Sequence, residues 1–385
     1  MATLLFWLSL ILLFYIYLGY PLLVRILALY YGCPIRQADS FAPSVSILIA
    51  AYNEAQDIRS TLENKLAQDY PKDRLEILVV SDESDDGTDG IVKELAVDSE
   101  VPIKLVRQEP RQGKTAGLNA LVPQAAGDIL LFSDANSEWD VSAVKRLVRN
   151  FSDPDVGYVT GKMIYVNPDG SLVGDGCSAY MKFENWLRTQ ETAIGSVVGV
   201  DGGIDGMRRS LYQPLRADQL PDFVQPLKVV EQGFRVVYED DALLREHALS
   251  EGQSEFKMRV RVSLRALWAL KDMRHLMNPL RYGFFSLQLV SHKLLRYLAF
   301  IPLFLMTVSG LLLVGHGRFY GLAVLGLLLF YGLSWVGLRN EKNNVASPVF
   351  CAIPYYFMLL NIASFKACLA FARGEKKVTW TPRKG

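Results

Sequence analysis

The sequence predicts an α/β domain with a mainly parallel sheet, preceded and followed by apolar transmembrane helices. Charge is the first observation: the 385-residue chain has a net charge of +1, with 69 charged residues among the 266 positions of Gly32–Tyr297. Only 12 charged residues occur among the remaining 119 positions. The second observation is that β-rich runs alternate with helix-like stretches inside the charged segment. We therefore expect a water-soluble part between membrane parts.

The N-terminal segment is uncharged and mostly apolar from Leu4 to Val24, and the first charge is Arg25. A helix needs roughly 20 residues to cross a bilayer, so this stretch is long enough. A signal peptide would instead show a basic start, a shorter apolar core and a small-residue cleavage site, and none is present. We predict a retained transmembrane helix within residues 1–31.

The soluble segment, residues 32–254, shows the strand and helix alternation of βαβ units. Such units form a mainly parallel sheet with right-handed crossovers, and ligands bind beyond the carboxyl ends of its strands. Polar clusters occupy three of those ends: Asn53-Glu54, Ser81–Asp86 and Ser133–Asn136. The predicted strands are Val45–Ala51, Leu75–Asp82, Ile103–Arg107 and Asp128–Ser133; the predicted helices surround Leu62 and Leu66, follow the turn in Asp85–Ala96, and cover Lys114–Leu121.

Residues in the polar clusters could carry chemistry, but structural roles such as helix capping are open for some of them as well. Asp134 and Asn136 could hold one hard divalent cation, yet such residues also cap helices and form turns. Asp82 ends a strand, at a position where the base or ribose of a nucleotide could form a hydrogen bond. Lys114 follows Gly113 at a helix start, where a cation and free amides bind phosphate, although it could equally be a solvated lysine.

Several function classes are disfavoured by composition and motifs. The balanced charge argues against a nucleic-acid-binding protein. The four histidines are far apart, and the four cysteines form no CxxC, so neither a histidine-based zinc site nor a disulfide framework is indicated. The first strand is followed by neither GxGxxG nor GxxxxGK[ST], which disfavours a dinucleotide-dependent oxidoreductase and a P-loop NTPase.

The C-terminal part contains basic amphipathic segments and further apolar stretches. Phe256–Tyr297 has nine Lys or Arg and one acid, which predicts interfacial helices over residues 255–297; a basic face on a globular helix is the alternative. The positive-inside rule then places the soluble domain in the cytosol. Because the tail at 373–385 is also basic, the topology of the last stretch stays open. The apolar stretches, within residues 298–372, are Leu298–Val314, Tyr320–Leu338 and Pro348–Phe371.

Six segments in one order resemble the family 2 inverting glycosyltransferases. They are AYNE (51–54), VVSDESDDGT (79–88), RQGKTAGLN (111–119), GDILLFSDAN (127–136), GVDGGIDGMRRSLY (199–212) and DFVQPLKVVEQGFRVVYE (222–239). With helices at both ends, the chain is similar to the membrane-embedded branch that includes cellulose, chitin, hyaluronan and poly-N-acetylglucosamine synthases. The resemblance implies a GT-A fold, a nucleotide-sugar donor linked to UDP, and a divalent cation, Mg²⁺ or Mn²⁺.

The resemblance further implies transfer with inversion to a polysaccharide, in exopolysaccharide or cell-envelope glycan synthesis. A lipid acceptor is the alternative, and a non-catalytic relative is a third reading. On the donor side, the family's pattern implies that Asp82 binds the nucleotide, with Tyr52 and Glu54 at the base and ribose. Lys114 corresponds to the basic residue near the diphosphate. Asp134 and Asn136 correspond to the metal-binding Asp-x-Asp, with an amide replacing the second carboxylate.

On the acceptor side, the resemblance implies that Gly202, Gly203 and Arg208 form the loop that the acceptor approaches. Asp222 matches the general base, which deprotonates the acceptor hydroxyl as it attacks the anomeric carbon. The family usually has Glu-Asp there, whereas this chain has Pro221-Asp222. Arg259 or Arg261 could supply charge to the diphosphate, although no tryptophan follows either one as it does in the family's Gln-x-x-Arg-Trp motif.

Overall fold

The computed structural model describes residues 1–166, 172–247, 252–343, 345 and 348–376. The chain forms two compact units, which we name by their dominant structure. The sheet unit comprises Tyr31–Ile164, Arg188–Glu246 and Lys376–Gly385, and the helical unit comprises Met1–Tyr30, Tyr165–Leu187 and His247–Glu375. The segment Tyr165–Leu187, predicted within the soluble domain, therefore belongs to the helical unit.

One eight-stranded sheet organises the sheet unit, with the strand order β3-β2-β1-β4-β7-β6-β8-β5. β1 is parallel to β2 and β4, and β2 is parallel to β3; β7 is antiparallel to β4 and β6, and β5 to β8. The predicted parallel half is confirmed, and the antiparallel half extends it. The strands are β1 (Val45–Ala51), β2 (Leu75–Asp82), β3 (Ile103–Gln108), β4 (Ile129–Asp134), β5 (Glu138–Trp139), β6 (Val156–Val166), β7 (Ile204–Arg208) and β8 (Arg235–His247).

The helices, which include several short ones, complete the two units. They are α1 (Ala2–Phe14), α2 (Tyr20–Tyr30), α3 (Ile58–Leu66), α4 (Thr88–Val97), α5 (Lys114–Leu121), α6 (Ala143–Val148), α7 (Leu172–Ile194), α8 (Pro221–Glu231), α9 (Gly252–Asp272), α10 (Pro279–Tyr282), α11 (Phe284–Gln288), α12 (Leu295–Tyr297), α13 (Phe300–Leu313), α14 (Arg318–Lys342) and α15 (Ala352–Ala372).

The register of the parallel strands places the polar strand ends at one edge of the sheet. Every residue of β1 and β2 is buried, as expected for parallel strands covered on both faces. Ala50 in β1 is opposite Asp134 in β4, and Ala51 is opposite Ser81 in β2. The residues that follow these strands are therefore neighbours, although they are distant in sequence.

Among its described residues, the helical unit contains three helices that are long and apolar enough to cross a membrane: Ala2–Tyr30, α14 and α15. A fourth candidate exists if Phe284–Tyr297 and Phe300–His316, bent by 58° at their junction, form one span. The stretch predicted at Leu298–Val314 is thus the second half of a bent pair, because a helix break separates it from the preceding helix. Phe6 of α1 packs in a buried cluster with residues of α13, including Met306.

The amphipathic pattern of α9 has a packing origin that the sequence did not reveal. Leu264 and Leu267 are buried with Ala367 of α15, and the Trp268 and Phe371 rings lie 4.6 Å apart between centroids. The apolar side of α9 therefore packs against another helix. The location of the basic residues at a membrane surface stays a prediction.

Candidate functional site

Three charged side chains meet at the edge of the sheet where β4 ends. Lys114 Nζ lies 2.7 Å from Asp134 Oδ1 and 3.5 Å from Asp222 Oδ1. Asp134 ends β4, Lys114 begins α5, and Asp222 is the second residue of α8. Burial lowers the pKa of Lys114, but the two carboxylates outweigh that effect and leave the pKa raised. The lysine is therefore a fixed positive charge between two acids.

Two glycines allow the acids to approach the backbone closely. Gly202 has a φ of +82°, and a Cβ atom there would lie only 2.6 Å from Asp222 Cγ. A Cβ at Gly203 would lie 2.8 Å from Leu244 Cδ2 and 3.5 Å from Asp134 Oδ2. A side chain at Gly202 would thus clash with the Asp222 carboxylate, and one at Gly203 would clash with Leu244. Contact with an acceptor stays a prediction.

A buried acid that sequence reasoning did not assign supports this glycine turn. Asp205 is 1% exposed, and its Oδ2 accepts hydrogen bonds of 3.0 Å from the Tyr158 hydroxyl and the Gly202 amide. Burial, reinforced by the charges of Asp222 and Asp201, raises the pKa of Asp205 to about 7. The only sequence signal was an acid flanked by glycine and isoleucine at the start of a strand.

Exposure separates Asp222 from the neighbouring acids that could have served as the base. The side chain of Asp222 is 29% exposed, whereas that of Asp201 is 5% exposed and accepts a 2.6 Å bond from Arg188. Asp205 is more deeply buried still. Among these three acids, Asp222 is the one that an acceptor hydroxyl could reach.

Asp82 is fully buried and orders the loop that leads to Lys114. Its carboxylate accepts bonds from the Gln112 amide at 2.9 Å, from the Gly113 amide at 3.1 Å, and from the Gln108 side chain. These bonds hold the start of α5, and with it Lys114, in place. The predicted contact between Asp82 and a nucleotide stays a prediction.

The turns after β1 and β2 are joined by polar contacts. Asn53 has a left-handed φ of 54°. Its side-chain amide donates to the Asp85 carboxylate at 2.8 Å, and its side-chain oxygen accepts from the Asp85 backbone amide at 3.0 Å. The Arg111 guanidinium lies 3.4 Å from the centroid of the Tyr52 ring. Glu54 is buried, and burial, with smaller contributions from nearby acids, raises its pKa to about 7. Tyr52 and Glu54 are therefore held at the strand end where we predicted a nucleotide.

The predicted metal ligands fit a hard divalent cation by their chemistry. Asp134 and Asn136 offer carboxylate and amide oxygens, which suit Mg²⁺ or Mn²⁺, and the Asp134 side chain is 43% exposed. A second acidic group, Glu239, Asp240 and Asp241, has ligand atoms within 4.8 Å of one another in the described part of the chain. There, however, Arg149 pairs at 2.9 Å with both Glu239 and Asp241.

The predicted arginines have other partners. Arg208 ends β7, and its guanidinium donates 2.8 Å bonds to the carbonyls of Phe151, Val156 and Asp153. We therefore correct its assignment from acceptor loop to structural support, because these carbonyls engage the guanidinium. Arg259 and Arg261 lie on α9, where Arg259 donates to Glu255 at 2.7 Å and to Tyr356 at 2.7 Å. A diphosphate role for these two arginines stays a prediction.

Comparison with known proteins points to one family. Residues 46–215, which contain β1, α5, β4 and the Gly202–Gly203 turn, match the family described as "Glycosyl transferase family 2". The matched region is less than half of the chain. The six sequence segments had indicated the same family of inverting glycosyltransferases.

Curated relatives of the chain have several named activities. A probable glycosyltransferase, YdaM of Bacillus subtilis, is 38% identical over 34% of this chain and 32% of its own length. The beta-monoglucosyldiacylglycerol synthase of Trichormus variabilis is 30% identical over 45% of this chain and 37% of its own. The poly-beta-1,6-N-acetyl-D-glucosamine synthase of Staphylococcus aureus is 27% identical over 52% and 48%. The matched regions thus span about a third to a half of these relatives.

A solved structure confirms the predicted GT-A fold. The mannosyltransferase PcManGT from Pyrobaculum calidifontis, in complex with GDP-Man and Mn²⁺, superposes with a TM-score of 0.69. The sequences are 22% identical, and the superposition covers 94% of this chain and 99% of that one. This likeness establishes the fold; the ligands in that complex belong to that protein.

Proposed function

We propose that the protein transfers a sugar from a nucleotide diphosphate donor to a hydroxyl acceptor, with inversion at the anomeric carbon. The observation that carries this proposal is the position of Lys114 between Asp134 and Asp222, at the carboxyl ends of parallel strands. A phosphate-binding cation, a metal-binding acid and an accessible base are the three groups that such a transfer requires. The match of residues 46–215 to glycosyl transferase family 2 supports the same reaction.

On the donor side, Asp134 and Asn136 would hold Mg²⁺ or Mn²⁺. The cation, when bound, neutralises charge on the diphosphate. Lys114 is positioned to add a second positive charge, and fixed charges of this kind stabilise a leaving group best because they need no reorganisation during the reaction. Tyr52 and Glu54 would contact the nucleoside, which we propose to be uridine.

On the acceptor side, Asp222 would accept the proton of the attacking hydroxyl. The hydroxyl oxygen forms the new glycosidic bond while the bond between the anomeric carbon and the diphosphate oxygen breaks. Attack from the face opposite the leaving group inverts the configuration. The Gly202 turn leaves the Asp222 carboxylate beside the backbone, so an acceptor can approach without meeting a side chain at that position.

The acceptor is a glycan or a lipid. A relative named for poly-beta-1,6-N-acetyl-D-glucosamine synthesis supports a polysaccharide, and one named for beta-monoglucosyldiacylglycerol synthesis supports a lipid. The helical unit brings the chain into contact with lipid in either case. A cavity within that unit, described below, favours the lipid acceptor.

Nucleotide release from a panel of donors tests the proposed reaction. The full-length protein in lipid nanodiscs should release nucleotide from one of several UDP- and GDP-linked sugars when supplied with Mg²⁺ or Mn²⁺ and a lipid extract. Chelation should abolish release, and Asp134→Ala should abolish metal-dependent donor binding measured by calorimetry. Asp240→Ala, from the other acidic group, is the matched control and should bind normally. No release from any donor with either metal would contradict the proposal.

A further inference from the structure

The helical unit contains a cavity of about 310 Å³ that the proposed chemistry does not use. Its described walls come from α7, α9, α15, the segment around Arg296 and the N-terminal helix at Tyr17. This volume lies at the lower end of the range for ligand pockets. The cavity can therefore enclose the head of an amphiphile and its first carbons, but not long acyl chains.

One face of α15 forms a continuous wall of the cavity. Its lining residues recur at intervals of three and four, which is the spacing of a single helix face. Ile353, at the start of this face, is 64% exposed, and α15 is one of the three candidate spans. The cavity thus adjoins a surface where acyl chains could continue into lipid. The residues of this face are Ile353, Tyr356, Phe357, Leu360, Asn361 and Ser364.

The charges in the described wall are already balanced. Arg259 pairs with Glu255 at 2.7 Å, and Arg296 pairs with Glu184, which also contacts His292 at 3.1 Å. Both carboxylate side chains are almost fully buried. A phosphate entering the cavity would have to compete with these carboxylates for the arginines. The electrostatics therefore favour a neutral ligand.

The remaining polar groups suit a ligand that carries a hydroxyl. Asn361 is 5% exposed; its Nδ2 donates to the Phe357 carbonyl at 2.9 Å, and its amide also interacts with the Tyr17 hydroxyl. Its Oδ1 accepts no hydrogen bond of normal geometry among the described residues. A buried acceptor without a partner is unfavourable, and a ligand hydroxyl would satisfy it. The rings of Tyr180 and Tyr356, with centroids 6.0 Å apart, add apolar surface beside it.

We propose that this cavity binds the head of a neutral lipid with a free hydroxyl, of the diacylglycerol class. The hydroxyl donates to Asn361 Oδ1, the glyceryl carbons contact the aromatic rings, and the acyl chains extend past Ile353. That this lipid, or its glycosylated form, is the acceptor rests on the proposed function. Binding in the cavity can be measured without it.

Photolabelling of the full-length protein in nanodiscs tests the proposal. A photoreactive diacylglycerol should label peptides of α15 and α9, and unlabelled diacylglycerol should compete at least tenfold better than phosphatidic acid with the same acyl chains. Asn361→Leu should reduce labelling about tenfold. Tyr355 is on α15 like Asn361 but lies outside the cavity wall, and its hydroxyl bonds to Glu341 of α14. Tyr355→Phe is therefore the control and should label normally.

Two results would overturn the proposal: equal competition by phosphatidic acid, or labels that map away from the cavity wall. If Asn361→Leu fails to fold, as judged by thermal unfolding, the competition experiment on the unmodified protein decides alone. Nucleotide release separates this inference from the proposed function. Lipid binding without release of nucleotide from any donor would refute the transfer reaction but not lipid binding in the cavity. Release of nucleotide without diacylglycerol binding would refute lipid binding in the cavity but not the transfer reaction.

Discussion

At the residue scale, neighbouring acids differ in function because they differ in burial and partners. Asp222 is accessible and lies 3.5 Å from Lys114 Nζ. Asp205 is enclosed, holds the Gly202 turn, and has its pKa raised to about 7 by burial. Asp201 is buried in an ion pair with Arg188. The environment thus distinguishes the proposed base from a structural acid and an ion-pair partner.

Asp222→Asn should lower sugar transfer by about 10²–10⁴-fold, the usual contribution of general-base catalysis. Asparagine keeps the size of the side chain, so thermal stability and donor affinity should change little. The measurements are the transfer rate and calorimetric donor binding. Asp218→Asn, which alters a nearby acid paired with Arg216 and Lys376, is the control and should transfer normally. Near-normal transfer by Asp222→Asn would show that another acid is the base.

Asp205→Asn should flatten the dependence of stability on pH. The folded-state pKa of about 7 exceeds the ordinary aspartate value of about 3.9, so the folded protein binds this proton more tightly than the unfolded chain does. The resulting stabilisation is complete below the ordinary pKa and is lost as pH rises towards 7. Between about pH 5 and pH 7, the thermal midpoint of the unmodified protein should therefore fall more than that of the variant. Parallel curves would refute the assignment, since Glu54 contributes equally to both proteins.

At the element scale, the turn between α7 and β7 lies against the Asp222 carboxylate that we propose as the base. Gly202 adopts a left-handed conformation that favours glycine, and its missing side chain leaves space that the Asp222 carboxylate fills. Gly233, in the turn between α8 and β8, has a similar φ of +89° but nothing within 4 Å of a built Cβ. The two glycines therefore share a backbone requirement and differ in their surroundings.

Gly202→Ala should lower transfer about 10²-fold, because the new methyl group forces the Asp222 carboxylate to move and a misplacement of about 1 Å costs that much. Gly233→Ala should lose similar stability from the left-handed backbone, about 1–2 kcal/mol, yet keep its transfer rate. Transfer assays and thermal unfolding of the two variants measure this contrast. If both variants lose activity equally, backbone strain rather than contact with Asp222 is responsible.

At the scale of the whole molecule, charged residues are concentrated between Gly32 and Tyr297, and the candidate spans carry few of them. Large apolar side chains are exposed on the candidate spans, including Leu8, Leu328 and Ile362, and membrane lipid is the medium that suits such surfaces. The positive-inside rule, applied to the basic residues between Phe256 and Tyr297, predicts that the segment before the C-terminal spans faces the cytosol. The orientation of the sheet unit is therefore open to a direct test.

Cys33 provides that test because it is exposed in the sheet unit, whereas Cys177 and Cys351 are buried and Cys368 is partly so. A membrane-impermeant maleimide should label the protein in inside-out vesicles and not in intact cells stripped of their wall. Cys33→Ser should remove this labelling and thereby report the background from the other thiols. Labelling from the outer side would place the sheet unit, and the proposed chemistry, outside the cytosol.

Local chain properties determined the parallel half of the sheet and the candidate residues. The buried strands β1 and β2 are continuous β-rich runs, so their bounds coincide with those predicted from sequence. Polar residues at strand ends, among them Asp134, could be recognised because an abrupt change from apolar to polar residues marks the carboxyl end of such a strand. The apolar spans were evident for the same reason: a bilayer requires a long run of uncharged residues.

Tertiary structure alone decided which of those residues meet and what the others do. Lys114 and Asp222 are 108 positions apart, and only the closure of α5 and α8 onto one sheet edge brings them within 3.5 Å. Arg208 binds backbone carbonyls, and the apolar side of α9 packs against α15. Sequence periodicity specifies that a face is buried but not its partner, because the partner is chosen by contacts between segments that the local pattern does not encode.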